Sequence, residues 1–138
     1  MAGLMSAADR NRSENLGAGK RRCRFPRELR LRHQAEFDRV YRGNIHAADG
    51  TLVLLAWKNG TSRCRLGLSI SRRVGNAVVR NRWKRLIREV FRHQQVELPP
   101  GLDMVVRPRR GAAPSFSAVS ASLPQLAQRV DRRLKRME

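Results

Sequence analysis

Apolar residues recur at helical spacing over residues 77–93, the most informative pattern in the chain. Because an α-helix turns about 100° per residue, one side collects Val79, Trp83, Leu86, Ile87 and Val90. The opposite side carries Asn81, Arg85, Arg88 and Arg92, with Arg82 and Lys84 beside them. Exposed helices usually mix acids with bases so that residues three or four apart attract. Here the single acid is Glu89, so the pattern predicts a helix with one core face and one face for a polyanion.

Other apolar runs predict strands. Leu52–Trp57 is apolar on both faces, whereas Arg63–Ser71 alternates between two kinds of side chain. The apolar side holds Cys64, Leu66, Leu68 and Ile70, and the small or polar side holds Arg65, Gly67, Ser69 and Ser71. A face of that kind lets a ligand backbone approach the sheet. Asp49-Gly50 and Asn59-Gly60 predict turns, and Leu102–Val106 predicts a last buried strand.

Two more helices complete the predicted fold. Phe37, Val40 and Tyr41 share one face of a short helix over Glu36–Arg42. Near the C-terminus, the spacing of apolar residues predicts a helical segment through Phe116, Val119, Leu123, Leu126, Val130 and Leu134. Pro124 lies inside it, and Ser122 with Gln125 can cap a new helix, so we expect a kink or break near Ser122–Pro124. The whole predicts an α+β fold, a single small α/β sandwich in the order α-β-β-β-α-β-α.

The charge of the chain restricts its partners. Its 138 residues include 30 Lys and Arg against 11 Asp and Glu, a formal net charge of +19, which points to nucleic acid or an acidic membrane surface. No apolar run approaches the roughly 18 residues of a membrane span. Trp83 and Phe91 lie on the side that a sheet would cover, so we expect no membrane partner.

Composition also suggests the domain layout and the compartment. Residues 1–24 are polar and aperiodic and end in a basic run, which predicts a disordered basic tail before a domain over 25–138. Cys23 and Cys64 have no metal-ligand spacing, and a cytoplasmic protein is the simplest interpretation.

Candidate catalytic chemistry is sparse. None of His33, His46 and His93 has the sequence context of a nucleophile's base, and the acids are scattered, so we predict no catalytic residue and no metal site on the protein itself. Phe37 and Tyr41 fit either a core or a stacking wall for single-stranded bases. Asn81 fits either a local hydrogen bond or an RNA contact.

Residues 67–88, from Gly67-Leu68-Ser69 to Arg80-Asn81-Arg82-x-Lys84-Arg85-x-x-Arg88, closely resemble the bacterial ribonuclease P protein component. Three further segments match the family's entry segment, first helix and last strand: Phe25–Leu31, Phe37-x-x-x-Tyr41 and Asp103–Val106. The resemblance covers about residues 25 to 135. It implies that the basic helix joins two parallel strands by a left-handed crossover, against the usual right-handed rule.

The resemblance also implies a function. The family's protein binds a large catalytic RNA, and the holoenzyme removes the 5′ leader of precursor tRNA by using Mg²⁺ that the RNA holds. By resemblance, the catalytic RNA is bound by Arg72, Arg73, Arg80, Asn81, Arg82, Lys84, Arg85 and Arg88. The leader lies in a cleft between the first helix and the sheet, lined by Phe37, Tyr41, Ser69 and Ser71, with Leu55 where the family often has an aromatic residue and Trp57 as its substitute. The alternatives are a structural RNA-binding protein, such as a ribosomal protein, and an autonomous RNA-cleaving enzyme.

Overall fold

One four-stranded sheet lies between a short helix on one face and two long helices on the other. The computed structural model describes residues 27–138, so the predicted tail and Phe25-Pro26 lie outside the described residues. The elements are α1 (Gln34–Gly43), β1 (His46–Ala48), β2 (Leu52–Lys58), β3 (Arg65–Leu68), α2 (Ala77–Gln94), β4 (Leu102–Pro108) and α3 (Phe116–Arg136), with 3₁₀ turns at Arg27–Leu29 and Arg72–Val74. The predicted α+β order is confirmed.

The strand order in the sheet is β1-β2-β4-β3. β2 pairs antiparallel with both β1 and β4, and β3 pairs parallel with β4. Helix α2 therefore connects two neighbouring parallel strands, as the resemblance implies; the left-handed sense of that crossover stays a prediction of the family. β3 is the last strand in this order, so its outer edge is free to pair with the segment that precedes α1. Leu31 N of that segment donates to Leu66 O at 2.9 Å.

Each face of the sheet has its own core. On one face, β-strand residues such as Leu54 and Met104 pack with Trp83 of α2 and Leu123 of α3, and all four are fully buried. On the other face, a smaller cluster joins Val40 of α1 to the sheet and consists of Leu31, Val40, Leu55 and Val105. The predicted apolar side of α2 is confirmed, since Trp83, Ile87 and Val90 are all fully buried.

Helix α3 runs without a break through Pro124, so the predicted break is wrong. Proline has no N–H to donate to the carbonyl four residues earlier, which here belongs to Ser120. The side chain of Gln94, the last residue of α2, replaces that donor, with Nε2 2.9 Å from Ser120 O. Ser122 does not cap a second helix; its buried hydroxyl donates to Asp49 Oδ2 at 2.6 Å.

One predicted strand end and one predicted core residue also need correction. The second predicted strand ends at Leu68 instead of Ser71. Ser69 N still donates to Val106 O at 3.1 Å, but Ser71 then caps the 3₁₀ turn, with Oγ accepting from Arg73 N at 3.3 Å. Phe116 is half exposed instead of buried because it occupies the first position of α3, before Val119 reaches the core.

Candidate nucleic-acid interface

The start of α2 is fixed by a short capping segment. Asn76 Oδ1 accepts a hydrogen bond from Val79 N at 3.0 Å, as expected for a helix cap. Gly75 precedes it with φ of 156°, where a Cβ would lie 2.9 Å from Val79. Arg72 and Arg73 stand exposed in the 3₁₀ turn just before this cap. They therefore flank a helix N-terminus, whose free N–H groups already attract phosphate.

The predicted RNA-binding residues of α2 lie together on one side. Asn81, Arg82, Arg85 and Arg88 are exposed, and Arg80 and Lys84 are half-buried beside them. The one acid of the helix, Glu89, is used by residues at the C-terminal end, pairing with Arg92 at 2.6 Å and His93 at 2.9 Å. Within residues 27–138, the cations from Arg80 to Arg88 form no ion pair with an acid. The side chain of Asn81 makes no hydrogen bond among those residues, so it is available to a ligand.

Arg88 shows how crowded this positive surface is. Partial burial, and then the neighbouring charge of Arg30, lower the pKa of the Arg88 guanidinium. Arg30 belongs to the segment that pairs with β3, through a bridge to Leu66. A cation close to a second cation is stabilised when a polyanion lies against both.

Part of the sheet face beneath α1 is covered by side chains. Leu55 is only 5% exposed and packs with Val40 and Val105, so the expectation that it lines an open cleft is wrong. The ring of Trp57 packs against Gly43 so closely that a Cβ at this position would clash with it. Trp57 therefore supports the end of α1 with part of its ring, and its role as a substitute for a missing aromatic residue in the cleft stays a prediction.

The small polar face of β3 is also partly filled. A Cβ on Gly67 would lie 2.8 Å from the ring of Phe37 and 3.0 Å from Leu31. The glycine thus makes room for an aromatic side chain of the same protein, which covers this residue. Phe37 is half-buried by this contact, while Tyr41, one turn later, is 37% exposed.

Another part of this sheet face, around Val53, stays partly exposed. Val53 of β2 lies opposite Arg107 of β4 in the sheet register, and Ser69 follows β3 on the same face with its backbone bonded to β4. Beyond them is a cavity of about 290 Å³ lined by Val53, Ser71, Arg73, Val74, Arg107, Pro108, Arg109 and Arg110. Of the predicted cleft residues, only Ser71 lines this cavity; Ser69 lies two residues before it, and Phe37 and Tyr41 lie on α1.

Six lining residues were missing from the sequence-based site: Val53, Val74, Arg107, Pro108, Arg109 and Arg110. The sequence does contain a signal for the three arginines, since the basic run from Arg107 to Arg110 directly follows the last predicted strand. Residues at the end of that strand were expected to lie near the polar face of the sheet. Val53 could not be found in this way, since Leu52–Trp57 is apolar on both faces and gives no indication of which residue stays uncovered.

Other chemistry is sparse in the described residues. Residues 27–138 contain no group of three or more His, Cys, Asp or Glu side chains placed to hold a metal ion. Burial, and then the charge of Asp103, raise the pKa of the Cys64 thiol to about 12, which leaves it unreactive at neutral pH. None of the helices in this part of the chain is long and apolar enough to cross a membrane.

Comparison with known proteins decides the family. A ribonuclease P family model matches residues 25–136. The chain belongs to the ribonuclease P protein family. The ribonuclease P protein component of Desulfovibrio desulfuricans is 40% identical over 119 residues, covering 83% of this chain and 92% of that protein. That of Brevibacillus brevis is 39% identical over 105 residues, covering 75% and 83%.

Solved ribonuclease P proteins share the fold. The Staphylococcus aureus protein matches with a TM-score of 0.65 and 30% identity, covering 72% of this chain and 93% of its own. The Thermotoga maritima protein matches with a TM-score of 0.65 and 33% identity, covering 72% and 96%. The chain is thus a protein subunit of ribonuclease P and acts in tRNA 5′ processing, which removes the ribosomal-protein alternative.

Proposed function

We propose that this ribonuclease P protein binds the catalytic RNA of its holoenzyme through the cationic side of α2 and binds the 5′ leader of precursor tRNA beside α1. The observation that carries the proposal is the row of α2 cations that have no acidic partner within residues 27–138. Phosphates of a folded RNA supply the missing negative charge, and the release of their counterions drives binding. Arg72 and Arg73 extend this contact to the helix N-terminus.

The leader occupies the exposed part of the cleft. Bases of a single strand stack on Phe37 and Tyr41, and each stacked base contributes about 1–3 kcal/mol. Ser69 and Ser71 offer hydroxyls at the floor, and the arginine-lined cavity beyond them receives backbone phosphates. Catalytic RNA and precursor are both polyanions, so a protein that contacts both lowers their mutual repulsion.

The hydrolysis itself belongs to the RNA and its ions in this proposal. Mg²⁺ prefers oxygen ligands in an octahedral arrangement, which RNA phosphates provide. The acids nearest the cleft do not fit the ion, because Glu36 and Asp103 are both bonded to Arg65. The protein therefore supplies binding and charge, with no catalytic base, and we place the reaction in the cytoplasm, which suits the free thiol of Cys64.

Cleavage assays with and without RNA test the proposal. The purified full-length protein with Mg²⁺ should leave precursor tRNA intact, and a bacterial ribonuclease P RNA at low Mg²⁺ should cleave faster once the protein is added. Cleavage by the protein alone, after nuclease treatment to remove RNA, would instead establish the autonomous enzyme. No stimulation of the RNA would contradict the proposed role.

A further inference from the structure

A network of ion pairs holds the start of α1 against the sheet. Arg65 of β3 donates from Nε to Asp103 Oδ1 and from Nη2 to Asp103 Oδ2, both at 2.7 Å. Its remaining terminal nitrogen, Nη1, donates to Glu36 Oε2 at 3.0 Å. Arg65 and Asp103 lie opposite each other in the parallel register of β3 and β4. One guanidinium therefore connects two strands to the first turn of the helix above them.

The network is largely shielded from solvent. Asp103 is 1% exposed, and the side chains of Arg65 and Glu36 are 22% and 16% exposed. Asn59, from the turn between β2 and β3, adds a further bond to Asp103 Oδ1 at 3.0 Å. Two carboxylates outnumber the one guanidinium, so Arg65 carries no surplus positive charge for an RNA phosphate, unlike the cations of α2.

The two carboxylate oxygens of Glu36 make different contacts. Oε1 accepts from the backbone nitrogens of Arg32 at 2.9 Å and His33 at 3.0 Å, which caps the start of α1. Oε2 faces Arg65. Burial raises the pKa of Glu36, but these backbone hydrogen bonds and the charge of Arg65 outweigh it and leave the pKa below its usual value. The carboxylate is thus charged at neutral pH.

The network lies directly beside the aromatic wall of the cleft. Phe37 follows Glu36 in the chain, and Gly67, on which the Phe37 ring rests, is two residues from Arg65 on the same face of β3. We propose that Glu36 and Arg65 are positioning residues that fix Phe37 for stacking on the leader. This inference rests on the proposed leader site, and it assigns to two residues outside the cleft a share of the discrimination between precursor and mature tRNA.

Glu36→Gln tests the inference with little change in shape. The amide keeps an oxygen for the backbone of Arg32 and His33 but cannot pair with Arg65, and the Arg65–Asp103 pair within the sheet remains. The matched control is Asp38→Asn, which makes the same charge change on the exposed side of α1, where Asp38 bonds only to Gln34 within residues 27–138. Holoenzyme is reconstituted with a bacterial ribonuclease P RNA, and dissociation constants are measured for precursor and mature tRNA.

We expect Glu36→Gln to lower the preference for precursor over mature tRNA by about three- to tenfold. Asp38→Asn should leave that preference within about twofold or raise it, since it removes a negative charge. Phe37→Ala should lower it by roughly 5- to 150-fold, the equivalent of one stacked base. In the Phe37→Ala background, Glu36→Gln should have almost no further effect, because the residue it positions is gone.

Two outcomes overturn the inference separately from the leader site. If Phe37→Ala loses the preference but Glu36→Gln keeps it, the leader site stands and the positioning role fails. If the two changes reduce the preference independently in the double variant, Glu36 acts by another route and the inference also fails. If Phe37→Ala itself has no effect while circular dichroism shows a folded protein, the proposed leader site falls first.

Discussion

Helices α2 and α3 carry almost the same charge but use it differently. α2 has five arginines and one lysine against one acid, and α3 has four arginines and one lysine against one acid. In α3, Arg129 donates to Ala48 O at 3.3 Å, Arg133 donates to His46 O, and Lys135 pairs with Asp131 at 3.2 Å. In α2, the cations from Arg80 to Arg88 find no acid within residues 27–138.

Two of the four arginines of α3 cover the edge of the sheet. Ile45 O accepts from Ala56 N across the β1–β2 pair, so the alternate carbonyls of His46 and Ala48 point away from β2. An unpaired strand edge invites another strand to add to it. Arg129 and Arg133, one turn apart, occupy these carbonyls. A basic helix is therefore evidence for a nucleic-acid partner only when its cations are left without partners inside the protein.

Removal of the two edge-covering arginines should destabilise the fold without a special effect on RNA binding. Arg129→Met with Arg133→Met keeps the aliphatic stems and deletes both donors, so we expect the free energy of unfolding to fall by about 1–2 kcal/mol. Urea unfolding measures it. Arg132→Met is the control, because Arg132 is exposed and has no partner among the described residues. Equal stability of the double variant and the control would show that these contacts are not stabilising.

A smaller effect is expected where α3 holds the β1–β2 turn. Asp49 accepts from Ser122 Oγ at 2.6 Å and from the backbone nitrogens of Thr51 at 2.8 Å and Leu52 at 3.0 Å. Burial raises the pKa of Asp49, but these bonds, chiefly that from Ser122, and the charge of Arg129 outweigh it and lower the pKa. The carboxylate therefore stabilises the fold above its unfolded pKa of about 3.9, and this contribution is lost as pH falls through the lower folded value.

Asp49→Asn should thus cost about 0.5–1 kcal/mol of unfolding free energy at neutral pH. The difference from the wild type should shrink below about pH 4, as the wild-type carboxyl takes up a proton. Urea unfolding at a series of pH values measures both. A difference that stays constant down to pH 2 would mean that the charge of Asp49 contributes nothing and that only its shape matters.

Sequence periodicity was sufficient to predict the features that depend on a single helix or strand. The two sides of α2 follow from the spacing of Trp83, Ile87 and the arginines alone, and the order of elements follows from runs and turns. The failures involve contacts between distant segments. Gln94 supplies the donor that lets α3 pass Pro124, and no local pattern near Pro124 reveals this partner, which lies 26 residues before Ser120.

The candidate site shows the same limit. The α2 residues were predictable because a helix places them together, whereas the cleft depends on how α1 crosses the sheet. That crossing buries Leu55, fills the space at Gly67 with Phe37 and leaves Val53 partly exposed. Glu36, Arg65 and Asp103 join α1 to the sheet in this arrangement, and they are far apart in the sequence.

The salt dependence of RNA binding tests the central claim most directly. Affinity for a bacterial ribonuclease P RNA is measured against salt for the wild type, for Arg82→Ala with Arg88→Ala in α2, and for Arg132→Ala with Arg136→Ala in α3. Both double variants lose two positive charges, and each lost phosphate contact flattens the slope of log affinity against log salt by about 0.7–0.9. We expect the α2 variant to flatten the slope by about 1.4–1.8 and the α3 variant to leave it almost unchanged. Equal slopes for the two variants would contradict the claim that the unpaired cations of α2 form the RNA-binding surface.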